Sequence, residues 1–219
     1  MILDITGPIR NGMWTYGDPL PSVEIEQVAM LEGEGWKGHR LQLHTLAGTY
    51  IESADHLLPG RKTIGELPVE SFVRRAWIAQ LSDKRELEPI TAAELAAACE
   101  GHAHRPGDAL LIATGWDKRW QEPEFVTHCP FFTEETMKWV IERDVGLLGV
   151  DVPCMQDPRA DDGTLCRQFF KQERLLLAPL VGLRKAATGP WMLAALPLSI
   201  PGVCGAPCRA ILMPITEGG

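Results

Sequence analysis

Apolar positions in this chain come in short runs separated by turn-forming residues, so most of the predicted elements are strands. Residues 22–31 alternate in part between apolar and polar and predict a strand. Residues 39–46, HRLQLHTL, set Leu41 and Leu43 between polar neighbours, the pattern of a second, half-buried strand. A third strand is expected over 75–81. Two runs are apolar almost throughout: DALLIAT at 108–114, which ends at Gly115, and VGLLGV at 145–150. Both read as buried strands. Residues 174–177, 191–196 and 209–213 complete the predicted set.

Helical signals are fewer. At 91–100 Thr91 and Glu94 have capping-box spacing, and five alanines favour the helical state. At 133–143 Thr133 stands as the cap. Glu134 and Glu135 follow in the first turn, where the helix dipole favours negative charge. Residues 165–173 predict a short third helix. Strands and helices alternate only in the middle of the chain. The expectation is therefore an α/β protein, one domain over residues 1–219, with a mixed sheet core and a few flanking helices. No internal repeat, low-complexity tract or linker interrupts it.

Composition narrows the function classes. The 219 residues include 45% hydrophobic and 23% charged positions, ordinary for a globular protein, and the formal net charge is -8. Nucleic acid and anionic membranes both call for a basic face, so neither is an expected partner. No apolar run approaches the roughly 18 residues of a membrane span. The opening MILDITGPIR lacks a basic region followed by a long apolar one, so a cytoplasmic location is expected. The six cysteines, Cys99, Cys129, Cys154, Cys166, Cys204 and Cys208, contain no CxxC pair, and they read mostly as small buried thiols.

The densest cluster of reactive side chains is LHTLAGTYIESADH at 43–56. If a strand runs through it, Tyr50 and Glu52 share a face, because side chains alternate with period two. His56 then lies past the strand end, where the chain can turn it back toward Glu52. A carboxylate beside an imidazole raises the imidazole pKa and fixes its tautomer, as a general base requires. On these residues alone a structural or solvated His56 is the alternative. His44 is read as a strand position sharing the face of Leu46. His102 and His104, in EGHAHRPGD, read as solvated.

The same segment resembles the His-x-Gly-Thr-His-x-Asp-x-Pro-x-His signature of the cyclase family, which includes bacterial kynurenine formamidase and isatin hydrolase. Over 46–56, Gly48, Thr49 and His56 match, and Glu52 stands for the Asp. GWDKRW at 115–120, LLGVDVP at 147–153 and ALPLSIPGVCGAPCRAI at 195–211 resemble further family segments in order, as does the opening LDITGPIRNGMWTYGDP. The resemblance implies the family's swivelling β/β/α architecture, a small-molecule substrate, and assembly as a homodimer or homotetramer. It also implies that the loop around Trp14 reaches a neighbour's pocket.

The resemblance places dizinc ligands where this chain has Leu46, Tyr50, Glu52, His56, Cys166 and Ala178. Leu46 and Tyr50 remove the first metal site. Glu52, His56 and Cys166 leave either one Zn²⁺ or Mn²⁺ with a water in the fourth position, or no metal. The expected function is a hydrolase that cleaves an amide, ester or lactone bond in a small cyclic or aryl substrate. His56 and Glu52 activate water in it, and Tyr50 donates to the oxyanion. A metal-free cyclase or isomerase and a non-catalytic binding relative are the alternatives. Trp14, Trp116, Trp120 and His128 are candidate substrate contacts. Core packing is the competing reading for Trp116 and Trp120.

Overall fold

The structure is a computed structural model and describes residues 1–160 and 163–215. In chain order the strands are β1 (Leu3–Asp4), β2 (Glu24–Ala29), β3 (Gly38–Gln42), β4 (Tyr50–Glu52), β5 (Val73–Gln80) and β6 (Pro89–Ile90). They continue with β7 (Ala109–Ala113), β8 (Phe131–Phe132), β9 (Leu147–Val150), β10 (Leu175–Ala178), β11 (Trp191–Pro197) and β12 (Gly205–Pro214). The helices are α1 (Leu31–Glu34), α2 (Ala92–Ala98), α3 (Glu134–Glu142) and α4 (Thr164–Phe170).

The main sheet runs β1-β12-β11-β5-β7-β9-β10-β4, and β4 pairs a second time with β12. That extra pairing closes the sheet into a barrel. β5, β7, β9 and β10 are parallel to one another, and the strands around them join antiparallel. Parallel strands covered on both faces are apolar along their whole length, which is why ALLIA, LLGV and LLLA are buried at every position.

Successive residues of each strand feed two different cores. Ile51, Leu111, Leu147, Leu177, Leu193 and Leu212 belong to one cluster, which fills the barrel. Leu110, Ile112, Leu148, Val150 and Leu176 point the other way and pack with Leu95 of α2, Met137 and Val140 of α3, and Phe169 and Phe170 of α4. Gly149 faces the filled interior, where an added Cβ would meet Leu111 Cδ2 at 2.3 Å.

Helices α2 and α3 form where their caps predict them. Thr91 Oγ1 accepts from Glu94 N at 3.3 Å, and Glu94 Oε2 accepts from Thr91 N at 2.9 Å. Thr133 Oγ1 accepts from Thr136 N at 3.1 Å. None of the helices among the described residues is long and apolar enough to cross a membrane.

Residues 39–46 correct one expectation. The strand stops at Gln42 and pairs only with β2, and Leu41 is 60% exposed. The ribbon lies outside the barrel sheet, so its alternation marks a two-stranded hairpin with an uncovered apolar position, not a half-buried strand. His44 and Leu46 therefore share no strand face.

Ile51 sits in β4 between β10 and β12 with no exposed surface. Ile51→Ala is expected to lower the unfolding free energy by about 2–5 kcal/mol, from lost burial plus the cavity left at the closure. Urea titration followed by far-UV circular dichroism measures it. A cost under about 1 kcal/mol would show that the closure is not tightly packed there.

Candidate active site

Because Ile51 points into the barrel, Tyr50 and Glu52 on either side of it point outward, toward α4 and the loop after β9. Ala54–His56 then forms a 3₁₀ turn, closed by His56 N donating to Ser53 O at 3.1 Å. The turn brings His56 Nε2 to 3.4 Å from Glu52 Oε1. The other ring nitrogen, Nδ1, lies 3.4 Å from Cys204 Sγ, and the ring meets Phe170 edge-on at 6.4 Å.

Glu52 and His56 line a cavity of about 230 Å³ together with Tyr16, Tyr50, Cys154 and Cys166. Leu46, Leu176 and Phe170 supply apolar wall. The volume lies just under the roughly 300 Å³ where sites for drug-sized ligands begin, so it suits a small compound.

Burial governs the charges. It pushes the Glu52 carboxyl up to about 8, and the nearby Cys154 adds to the rise. Burial also lowers the His56 pKa, against a smaller opposing effect of Asp55. The expected elevation of the imidazole by its carboxylate is thus reversed. A largely protonated Glu52 offers little negative charge, and desolvation disfavours the imidazolium. Near neutral pH the pair is a neutral base beside a neutral acid.

Tyr16 and Tyr50 are both held well above the usual phenol range, first by burial. Their hydroxyls are 2.7 Å apart, and Tyr16 O–H donates to Pro153 O at 3.0 Å. Tyr16 has spent its single proton, so Tyr50 is the donor within the pair. The Tyr50 proton is therefore committed in the resting chain and is not free for an oxyanion.

Cys154 and Cys166 are hydrogen-bonded to each other on the cavity wall. That bond lowers the Cys154 pKa and holds the Cys166 thiol well above its ordinary range. The structure thus puts Cys166 on the same cavity as Glu52 and His56. Among the described residues, however, no three His, Cys, Asp or Glu side chains gather as a cation site. Leu46 and Ala178 offer no donor atom, and the Tyr50 hydroxyl is engaged with Tyr16. This donor set does not fit the metal that the resemblance implies.

The remaining candidates separate from this cavity. Trp14 and Trp120 line a different one of about 410 Å³ with Arg10, Met13 and Pro123. Trp14 packs within its own chain, 5.2 Å from Trp120 and 5.1 Å from Phe125. Trp116 is core, and its indole N–H donates to Phe125 O at 2.9 Å. His128 lines neither cavity and lies 2.9 Å from Thr127 Oγ1. His44 is buried with both ring nitrogens unpartnered, also away from the cavities. His102 and His104 are not simply solvated: His102 stacks on Trp77 at 4.9 Å, and His104 Nε2 lies 2.7 Å from Arg143 O.

Tyr16 and Cys154, both on the cavity, were not singled out by the sequence reading, and Cys204 and Asp151 escaped it as well. Cys204, 148 residues from His56, carries no local signal of their contact. Asp151 is the second carboxyl raised by burial, to about 7, but it accepts from Thr114 N, Thr114 Oγ1 and Gly115 N at 2.7–2.8 Å. It ties the ends of β7 and β9 and faces neither cavity.

A family model described as Putative cyclase matches residues 3–156. The chain belongs to the cyclase family. Kynurenine formamidase of Bacillus cereus is 32% identical over 219 residues, covering 97% of each chain. Isatin hydrolase A from Labrenzia aggregata, solved with benzyl benzoate bound, superposes with a TM-score of 0.86 at 20% identity, over 99% of this chain and 94% of that one. Isatin hydrolase A from Ralstonia solanacearum gives 0.84 at 23% identity, over 97% and 91%. These structures share the fold of this cyclase-family chain, a single α/β barrel.

The raised Glu52 pKa predicts a pH effect on stability. A carboxyl at about 8 when folded and near 4.5 when unfolded gives stability that is complete below pH 4.5 and declines as pH rises toward 8. Between pH 4.5 and 7 the loss is on the order of 3 kcal/mol. Glu52→Gln is expected to remove this part of the decline, visible as a melting-temperature gain over the parent at pH 8 that vanishes at pH 4.5. Parallel curves for the two proteins would mean that Glu52 titrates normally.

Proposed function

We propose that this cyclase-family protein is a hydrolase that cleaves an amide, ester or lactone bond in a small cyclic or aryl substrate. The observation that carries the reading is the His56–Glu52 pair, 3.4 Å apart, on a small, largely apolar cavity. The similarity to kynurenine formamidase over 97% of both chains supports an amide substrate. The folds shared with isatin hydrolases agree with it.

The chemistry follows from the charges. Neutral His56 takes a proton from the attacking nucleophile; in the tautomer protonated at Nε2, that N–H faces Glu52 Oε1, 3.4 Å away, and the basic lone pair is at Nδ1. A protonated Glu52 beside the cavity also has a proton to give to the developing oxyanion or the leaving group, in place of the committed Tyr50. The apolar walls exclude bulk water and strengthen these hydrogen bonds. No step is assigned to a metal, because the donor set does not fit one.

The proposal extends to one domain of swivelling β/β/α type over residues 1–219, in the cytoplasm, assembled as a homodimer or homotetramer. The uncovered apolar residues of the β2–β3 hairpin, Val28, Met30, Trp36 and Leu41, support self-association. Sedimentation equilibrium is expected to give a dimer or tetramer mass. A monomer at micromolar concentration would remove the assembly claim.

His56→Ala is expected to lower kcat on an N-formyl aryl amine or aryl ester by about 100-fold or more. Parent activity is expected to survive dialysis against a chelator. An undiminished His56→Ala rate would end the proposal, and chelator-sensitive activity restored by Zn²⁺ or Mn²⁺ would overturn its metal-free form. The base limb follows from His56: activity falls as pH drops through a pKa below 6.5. A kcat/KM profile whose acid limb lies above pH 7 would contradict a neutral imidazole base.

A further inference from the structure

His56 has a second partner, and its identity changes the chemistry. His56 Nε2 lies 3.4 Å from Glu52 Oε1 and Nδ1 lies 3.4 Å from Cys204 Sγ; the tautomer protonated at Nε2 turns its lone pair to the sulfur. A thiol, an imidazole and a carboxyl therefore stand in line, each within reach of the next. The order is that of a nucleophile, a base and a third group beside the base; burial, and after it Glu52, hold the Cys204 thiol above its ordinary range, so its proton leaves to the imidazole only as the sulfur attacks.

The backbone holds the line in place from both sides. β12 begins at Gly205, which pairs with Glu52 across the barrel closure. An added Cβ at Gly205 would meet Ile51 O at 2.9 Å and Glu52 Cγ at 3.1 Å, so the close approach of the two strands depends on glycine there. Just before it, the Cys204 carbonyl accepts from Ser53 N at 2.8 Å and Ser53 Oγ at 3.1 Å. Ser53 O in turn accepts from His56 N. Cys204 and His56 are thus both anchored on one residue, Ser53, which fixes sulfur and ring relative to each other. Neither is sealed off: the His56 side chain is 30% exposed and lines the cavity, and Cys204, on the far side of the ring nitrogen from Glu52, is half-buried next to that wall without being part of it.

We propose that Cys204 is the nucleophile of this site, attacking the scissile carbonyl with His56 as its base and Glu52 holding the ring. The assignment rests on the hydrolase reading above and deepens it. As the sulfur–carbon bond forms, the thiol proton moves to Nδ1. Collapse of the tetrahedral adduct breaks the carbon–nitrogen or carbon–oxygen bond, and the imidazolium proton goes to the leaving atom. The acyl group is left as a thioester on Cys204. Its sulfur no longer has a proton to share, so Nδ1 is open to water. Water attacks the thioester carbonyl and gives Nδ1 a proton, the sulfur leaves and recovers that proton, and a carboxylic acid is released. No electrons are exchanged with any other reagent. A sulfur nucleophile also explains how the site works without the metal that its donor set does not fit, since the thiol takes over the attack that metal-bound water performs elsewhere.

The test uses the full chain with p-nitrophenyl acetate, rapid quenching and mass spectrometry. The expected result is a burst of p-nitrophenol together with one acetyl group on Cys204, released by hydroxylamine. His56→Gln should abolish both. Cys204→Ala should lower kcat by about 100-fold or more and leave no burst. Cys204→Ser, checked by its melting temperature, serves if the alanine variant does not fold. Folded Cys204→Ala or Cys204→Ser with kcat within twofold of the parent, while His56→Gln has lost its activity, overturns the sulfur nucleophile and leaves the hydrolase reading standing. An uncleaved ester with no adduct, or parent rates in all the variants, overturns both.

Discussion

Strand β12 is hydrogen-bonded to β11 along one edge, and its other edge is shared between β4 and β1. The short β4–β12 pairing is what turns an open mixed sheet into a barrel. It leaves β4 no free edge, since β10 occupies the other side. It also sets which way β4 faces: Ile51 is committed to the filled interior, so Tyr50 and Glu52 are forced outward under α4. The candidate site is a direct consequence of that closure. It lies outside the barrel wall, on the face against which α2, α3 and α4 pack.

The closure joins distant segments as well. Residues 52–56 supply the carboxyl, the Ser53 anchor and the imidazole, and residue 204 supplies the thiol, with Gly205 making room for the approach. The electrostatics depend on the same enclosure. Burial keeps Glu52 protonated, His56 neutral and both tyrosines unionised. A site built from neutral groups avoids the large cost of burying unpaired charge. It also differs in kind from one that gathers carboxylates and imidazoles around a cation. Leu46, Ala178 and Tyr50 mark that difference, because they put apolar side chains and a hydroxyl engaged with Tyr16 where the resemblance places ligands.

Where the sequence was locally legible, the reason is that local rules suffice. The caps at Thr91 and Thr133 are satisfied within one helical turn, so spacing alone finds them. The apolar runs at 108–114 and 145–150 can only be buried strands in a chain this short of helices, and both are. Period-two alternation placed Tyr50 and Glu52 on one face, and a turn after the strand returned His56 to Glu52 as expected. The family segments taken together, from the opening to 195–211, implied the fold, and the signature over 46–56 showed where Leu46 and Tyr50 depart from it.

The rest was decided only by tertiary structure. Alternation in 39–46 says that one face differs from the other, but not whether anything covers it, and here the ribbon lies outside the barrel. The direction of the Glu52 and His56 shifts depends on how much water reaches them, which no spacing encodes. Trp116 and Trp14 are both aromatic residues in plausible loops, yet one is sealed in the core and the other walls a separate cavity. Cys204 shows the limit most clearly. By itself it is one thiol in a glycine-rich turn, and only the pairing of β12 with β4 brings it to His56. The sequence on its own determined the elements, the family and the Glu52–His56 pair, because those follow from neighbours a few residues apart. The barrel closure decided charge state, enclosure and the third member of the line, because those depend on segments that meet only when the chain is folded.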